Sequence, residues 1–68
     1  MNFTIEPEQE DDGRWLAEVP DLPGVLAYGH SRDEAIARAQ VLALRVVAER
    51  IEHNEAKPQP ISVDIAAA

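Results

Sequence analysis

The chain contains no cysteine, which removes disulfides, thiolate metal sites and a cysteine nucleophile at once. Aromatic side chains are nearly as scarce, with one Trp, one Tyr and one Phe. No stretch reaches the ~20 consecutive apolar residues of a membrane span. Residues 1–5 have neither the basic start nor the long apolar core of a secretory signal. These absences lead us to expect a soluble, cytoplasmic protein. Positive charge is also short: 6 Lys and Arg stand against 13 Asp and Glu, a net charge of −7.

At 68 residues the expectation is one small domain spanning 1–68. A domain of this size buries only about 60% of the surface its unfolded chain exposes. With disulfides excluded and no metal site evident, oligomerisation is the expected source of added stability.

The placement of charge is more informative than its total. Residues 1–21 hold seven acids (Glu6, Glu8, Glu10, Asp11, Asp12, Glu18 and Asp21) against Arg14 alone, a local balance of −6. Such a surface repels nucleic acid, whose binding rests on clustered Lys and Arg, and it speeds association with a basic protein. The competing reading is that the acids only maintain solubility.

Met1, Phe3 and Ile5 alternate with Asn2, Thr4 and Glu6, the period-2 pattern of a half-buried strand, which Pro7 is expected to end. Asp12-Gly13 is a turn dipeptide, and Trp15, Ala17 and Val19 alternate beyond it, predicting a hairpin with an acidic loop. Leu22-Pro23-Gly24-Val25 suits a type II turn, with Gly24 at the position that needs positive φ. A third strand follows from Val25 to Tyr28.

Ser31 and Glu34 form a capping box in which the serine accepts from the third helical N–H and the glutamate reaches back to the cap's own N–H. From Arg32 to about Asn54 there is neither Gly nor Pro, predicting one long helix of about 34 Å that overhangs its sheet. Pro58 and Pro60 precede a last strand carrying Ile61, Val63 and Ile65, and residues 66–68 read as a frayed tail. The fold class predicted is α+β, order β-β-β-α-β: a small mixed sheet with one helix across one face and the last strand parallel to the first.

On a helical wheel Ala35, Ile36, Ala39, Leu42, Ala43, Val46 and Val47 form one core stripe. Ala37, Val41, Leu44, Ala48 and Ile51 form a second series that one sheet cannot bury. Val41, Leu44, Ala48 and Ile51 are therefore the candidate oligomer interface.

Catalytic chemistry is sparse. The only hydroxyls are Thr4, Ser31, Ser62 and Tyr28, Ser31 is taken as a cap, and neighbouring His30 has no evident third partner for a triad. His53 reads as a favourable charge near the helix C-terminus. The acids match no calcium-loop spacing, and no phosphate-binding glycine loop or dinucleotide fingerprint is present. We expect no enzyme activity, cofactor, metal or small-molecule substrate.

The spaced set Trp15, Ala17, Pro20, Asp21, Leu22, Pro23, Gly24, Gly29, Ser31, Glu34 and Ala35 resembles the HicB-like antitoxin family, over about residues 2 to 65. The resemblance implies a partial RNase H-like fold of β-β-β-α-β order. It also implies the family's function: binding and neutralising a small basic toxin, HicA, that cleaves messenger RNA. Family members that bind their promoter add a C-terminal DNA-binding module, and since the sequence stops shortly after the last strand, no direct nucleic-acid binding is expected. Glu8, Glu10, Asp11, Asp12 and Asp21 are the electrostatic candidates for a basic partner, with Tyr28 a candidate anchor. The rival readings are a structural or adaptor oligomer without a toxin, a metal-dependent nuclease, and, ranked last, DNA binding by Arg32, Arg38 and Arg45.

Overall fold

The computed structural model describes residues 1–67. Strands β1 (Asn2–Gln9), β2 (Trp15–Glu18) and β3 (Leu26–Gly29) precede helix α1 (Arg32–Glu52), and β4 (Ser62–Ile65) follows it. The strands form one mixed sheet in the order β3-β2-β1-β4. β2 runs antiparallel to both β1 and β3, while β4 returns parallel to β1. The α+β class, the element order and the parallel last strand agree with the pattern read from the sequence.

Pro7 does not end β1, which continues to Gln9 with Pro7 opposite Ala17. The reason lies in which edge each residue presents. Met1 and Ile5 accept from Ser62 and Ala66 of the β4 segment at 3.0 and 2.9 Å, so odd residues of β1 turn their backbone groups toward β4. The N–H that Pro7 lacks would face that edge, beyond the last β1–β4 pair, Ile5↔Ile65. Proline thus stops the parallel ladder and spares the antiparallel one. Ala66, expected to be frayed, is held by its bond to Ile5. Ala68 lies outside the described residues.

Between β2 and β3 the chain turns through Val19 to Val25. Val25 donates to the Leu22 carbonyl at 2.9 Å, and Gly24 has φ 85°, as a type II turn requires. β3 begins at Leu26 rather than Val25 and includes Gly29.

Helix α1 starts at Ser31, whose hydroxyl accepts from the Glu34 N–H at 3.1 Å. The Glu34 carboxylate reaches one residue further back than a capping box predicts, accepting from the His30 N–H at 2.9 Å. The helix ends two residues earlier than expected, at Glu52. Asn54 takes φ 59°, and Glu55 and Ala56 both donate to the Arg50 carbonyl, a left-handed stop that satisfies orphaned acceptors.

The core lies between α1 and the sheet face bearing Phe3, Ile5, Ala17 and Val19, with Leu22, Val25, Ala35, Ile36, Ala39, Ala43 and Val47 completing it. Two stripe assignments need correction. Leu42 is exposed rather than buried, because the sheet ends at β3 and no further strand among the described residues lies beneath that side of the helix; Val46 is half-buried beside it. Ile51, expected on the unpartnered series, packs against the core because it follows Val47 by one turn.

Gly29 is the contact that seats the helix. A Cβ on Gly29 would lie 2.5 Å from the Ala35 backbone N and 3.0 Å from its Cα. We therefore expect Gly29→Ala to cost about 1–3 kcal/mol in urea unfolding, by forcing the first helical turn off β3. A variant as stable as the wild type would show that this approach is not tight.

Glu34 supplies a second prediction. The His30 N–H is the main cause holding its carboxyl below the ordinary 4.5; partial burial opposes this, and the charges of Arg38 and His30 assist. Because the folded pKa is lowered, the contribution is fully present above the unfolded pKa and fades as pH falls through the folded one. The melting-temperature gap between wild type and Glu34→Gln should be constant above about pH 6 and narrow as pH drops below the unfolded value. A gap that ignores pH would exclude the carboxylate charge as its source.

Candidate functional site

The sheet has a second face, and among the described residues no element covers it. With Phe3 and Ile5 turned to the helix, strand alternation turns Asn2, Thr4, Glu6 and Glu8 of β1 the other way. Register brings Leu16 opposite Glu8 and Glu18 opposite Glu6, then Tyr28 opposite Leu16 and Leu26 opposite Glu18. On the far side, Ser62 and Asp64 pair with Asn2 and Thr4. This open face therefore carries four carboxylates, Glu6, Glu8, Glu18 and Asp64, beside an apolar trio of Leu16, Leu26 and Tyr28.

Glu6 and Glu18 are direct cross-strand neighbours, a like-charge juxtaposition that weakens a sheet rather than supporting it. Folding of this chain alone gives no reason for that pair. Only two salt bridges form among the described residues, Arg14–Asp12 and Arg38–Glu34, so none of the four carboxylates on the open face is neutralised by an ion pair.

The hairpin loop extends this acidity at one end of the sheet. Glu10 donates its N–H to the Arg14 carbonyl at 2.7 Å, and Gly13, at φ 91°, donates to Glu10 at 3.0 Å. Asp12 is committed within the turn. Its carboxylate accepts from the Arg14 backbone N–H at 3.0 Å and the Arg14 Nε at 2.8 Å, and these bonds, the backbone one foremost, hold its pKa below 3.8. The Arg14 guanidinium also lies 4.7 Å from the Tyr28 ring centroid. Arg14, the one cationic side chain of the acidic third, is thus occupied by Asp12 and Tyr28.

The sequence-predicted candidates divide accordingly. Glu8 lies on the open face, Glu10 and Asp11 sit at the loop beside it, and Tyr28 is exposed on the same face under Arg14. Asp12 points its charge into an internal pair. Asp21 is exposed in the β2–β3 turn, at the end of the sheet away from the hairpin loop. Glu6, Glu18 and Asp64 were not among the candidates. The alternation that placed Phe3 and Ile5 inward already put Glu6 outward, but the convergence of all three depends on cross-strand register.

On the helix, Val41, Leu44 and Ala48 are exposed as expected for an unpartnered series, while Ile51 is half-buried. Among the described residues no three His, Asp or Glu side chains come together in a way that would hold a metal ion, and no helix is long and apolar enough to cross a membrane.

The chain and its fold have known relatives. Residues 3–68 match the family model described as the HicB-like antitoxin of a bacterial toxin-antitoxin system. The UPF0150 protein Ta0767 of Thermoplasma acidophilum is 30% identical over 66 residues, covering 96% of this chain and 94% of the relative. The crystal structure of the N-terminal domain of the Burkholderia pseudomallei antitoxin HicB superposes with a TM-score of 0.73 at 30% identity, covering 88% of this chain and 71% of that one. The α+β fold is shared with that domain, and the chain belongs to the HicB-like antitoxin family.

Proposed function

We propose that the chain is a non-catalytic antitoxin that binds and neutralises a small basic, HicA-like, mRNA-cleaving toxin, acting in the cytoplasm where such a toxin meets its substrate. The observation that carries this reading is the unneutralised carboxylate surface on the open sheet face, in a chain of the antitoxin family. Glu6, Glu8, Glu18 and Asp64 supply the field, with Glu10 and Asp11 extending it at the hairpin. Leu16, Leu26 and Tyr28 supply the apolar contact that complementary charge alone does not. Arg14 fixes the Tyr28 ring as a flat anchor. Asp12, already paired, contributes little to attraction, and Asp21 acts only at long range.

Clustered carboxylates recruit a basic protein and turn away the RNA that the toxin handles, so one surface accounts for both binding and exclusion of nucleic acid. A metal-dependent nuclease reading has less support, since strand geometry spreads these acids along a face instead of converging them on an ion.

The test is to express the chain with a basic protein of similar size encoded beside it and to purify the two together at low and high salt. The triple variant Glu8→Gln, Glu10→Gln, Asp11→Asn should lower the association rate constant roughly 10-fold at low salt, with a smaller effect at high salt. An unaltered rate, or no complex with any such neighbour, would refute the antitoxin reading.

Self-association belongs to the same proposal. Val41, Leu44 and Ala48 stand on the outer side of α1 with no sheet beneath them, which supports a dimer or tetramer. Leu44→Glu should lower the mass measured by analytical ultracentrifugation. An unchanged oligomer would remove the helix stripe as an interface, and a wild type that is monomeric at micromolar concentration would end the proposal of self-association.

A further inference from the structure

β3 is an edge strand, and its free edge is unusually well prepared for one occupant. Val19 donates to the Val25 carbonyl at 2.9 Å, so odd residues of β3 face β2 and even residues face outward. Two of the outward groups are already engaged: the Tyr28 carbonyl accepts from Arg38 Nη1 at 2.9 Å, and the His30 N–H is held by Glu34. Among the described residues the Leu26 N–H and C=O and the Tyr28 N–H have no partner, and the Tyr28 oxygen keeps a second lone pair.

Beside this edge lies an open apolar groove of ≈ 410 Å³, lined by Ala27, Ala37, Arg38, Val41 and Leu42. Its one charged side chain, Arg38, sits 3.6 Å from the Glu34 carboxylate, so the groove is close to neutral in a chain of net charge −7. A basic partner gains nothing by docking there. A second copy meets the like-charge repulsion of two acidic chains least at this place.

We propose that two copies pair antiparallel through β3 about a two-fold axis at Ala27, joining two four-stranded sheets into one of eight. The symmetry is set by the free groups. Placing Leu26 opposite the second copy's Tyr28 lets the two residues exchange both N–H···O bonds, and the axis repeats the exchange, giving four bonds in all. Ala27 then faces its own copy in a non-hydrogen-bonded pair, where Cα atoms approach to about 4.5 Å; its small side chain permits that approach on the helix side. On the open face, Leu26 packs against the second copy's Tyr28. On the helix side, Leu42 and Val41 of the two grooves close over the axis. Val41 and Leu42, exposed by 47% and 37%, are covered there, while Leu26 and Tyr28 meet the second copy only at their edges and keep their outer surfaces on the open face. The other free edge, β4, follows Pro58 and Pro60 closely, and proline cannot donate to a ladder.

This proposal rests on self-association but centres it on β3 instead of the helix stripe, with Val41 the one residue common to both. Because the chain has no cysteine, one substitution reads the axis directly. Ala27→Cys should form a disulfide-linked dimer under mild oxidation, seen on non-reducing gels, whereas Ser62→Cys on β4 should not. In parallel, Leu26→Lys should shift the ultracentrifuge mass to that of a smaller species with unchanged far-UV circular dichroism, since the Leu26 side chain is exposed and lies outside the core. Absence of the Ala27→Cys cross-link together with an unchanged Leu26→Lys mass, in a wild type that is still oligomeric, overturns the β3 axis and leaves self-association standing. A monomeric wild type overturns both.

Discussion

The close approach of α1 to β3 governs most of what this molecule presents to its surroundings. Gly29 has no side chain, so the backbone at Ala35 rests on the end of the strand. Ser31 and Glu34 hold the helix start there, and Arg38, one turn later, reaches back to the Tyr28 carbonyl. A long helix anchored at one end over an edge strand has its direction fixed. The residues that face away from the sheet, or past its edge, follow from that direction by the 3.6 period alone. The exposed helix stripe, the groove beside β3 and the partial blocking of the edge are consequences of one seat.

That seat also limits the core. Ala35, Ala39 and Ala43 are fully buried at successive turns, which lets the helix lie close to the sheet but leaves little volume to fill. The largest fully buried side chains are Ile5, Leu22 and Val19, and Phe3 is the one aromatic in the core. Close backbone packing has been achieved with little apolar bulk. In a domain of this size the remaining apolar surface then stands outside, at Leu26, Tyr28, Val41, Leu42 and Leu44, where a second surface can use it.

Local patterns were legible in the sequence because local physics determines them: the alternation of Phe3 and Ile5, the Pro23-Gly24 turn, the Ser31 cap and the Gly-free helix. The parallel return of the last strand was legible from the handedness of crossovers. What escaped depended on position in the sheet. Pro7 looks like a strand terminator until β4 is known to stop two residues before it. Leu42 looks like core until β3 is known to be the edge. The open-face carboxylates come from three strands, and only cross-strand register shows that Glu6, Glu8, Glu18 and Asp64 lie together. Asp12 escaped for a shorter-range reason, since a neighbouring Arg14 can either stay solvated or close back on the turn, and composition does not distinguish the two.

The placement of the two proposed surfaces has a physical logic. Carboxylates gathered on the open face repel one another within a chain and between chains, so self-association that used this face would add to that cost. An edge-to-edge arrangement avoids it. Pairing at β3 brings together the least acidic border of each sheet and leaves both open faces on the same side of one continuous surface. The acidic field presented to a basic partner then comes from two chains instead of one, and a toxin leaving one half remains near the other. On this view the marginal core and the high negative charge are linked: the second copy that stabilises a small, thinly filled domain also doubles the surface by which it attracts its partner.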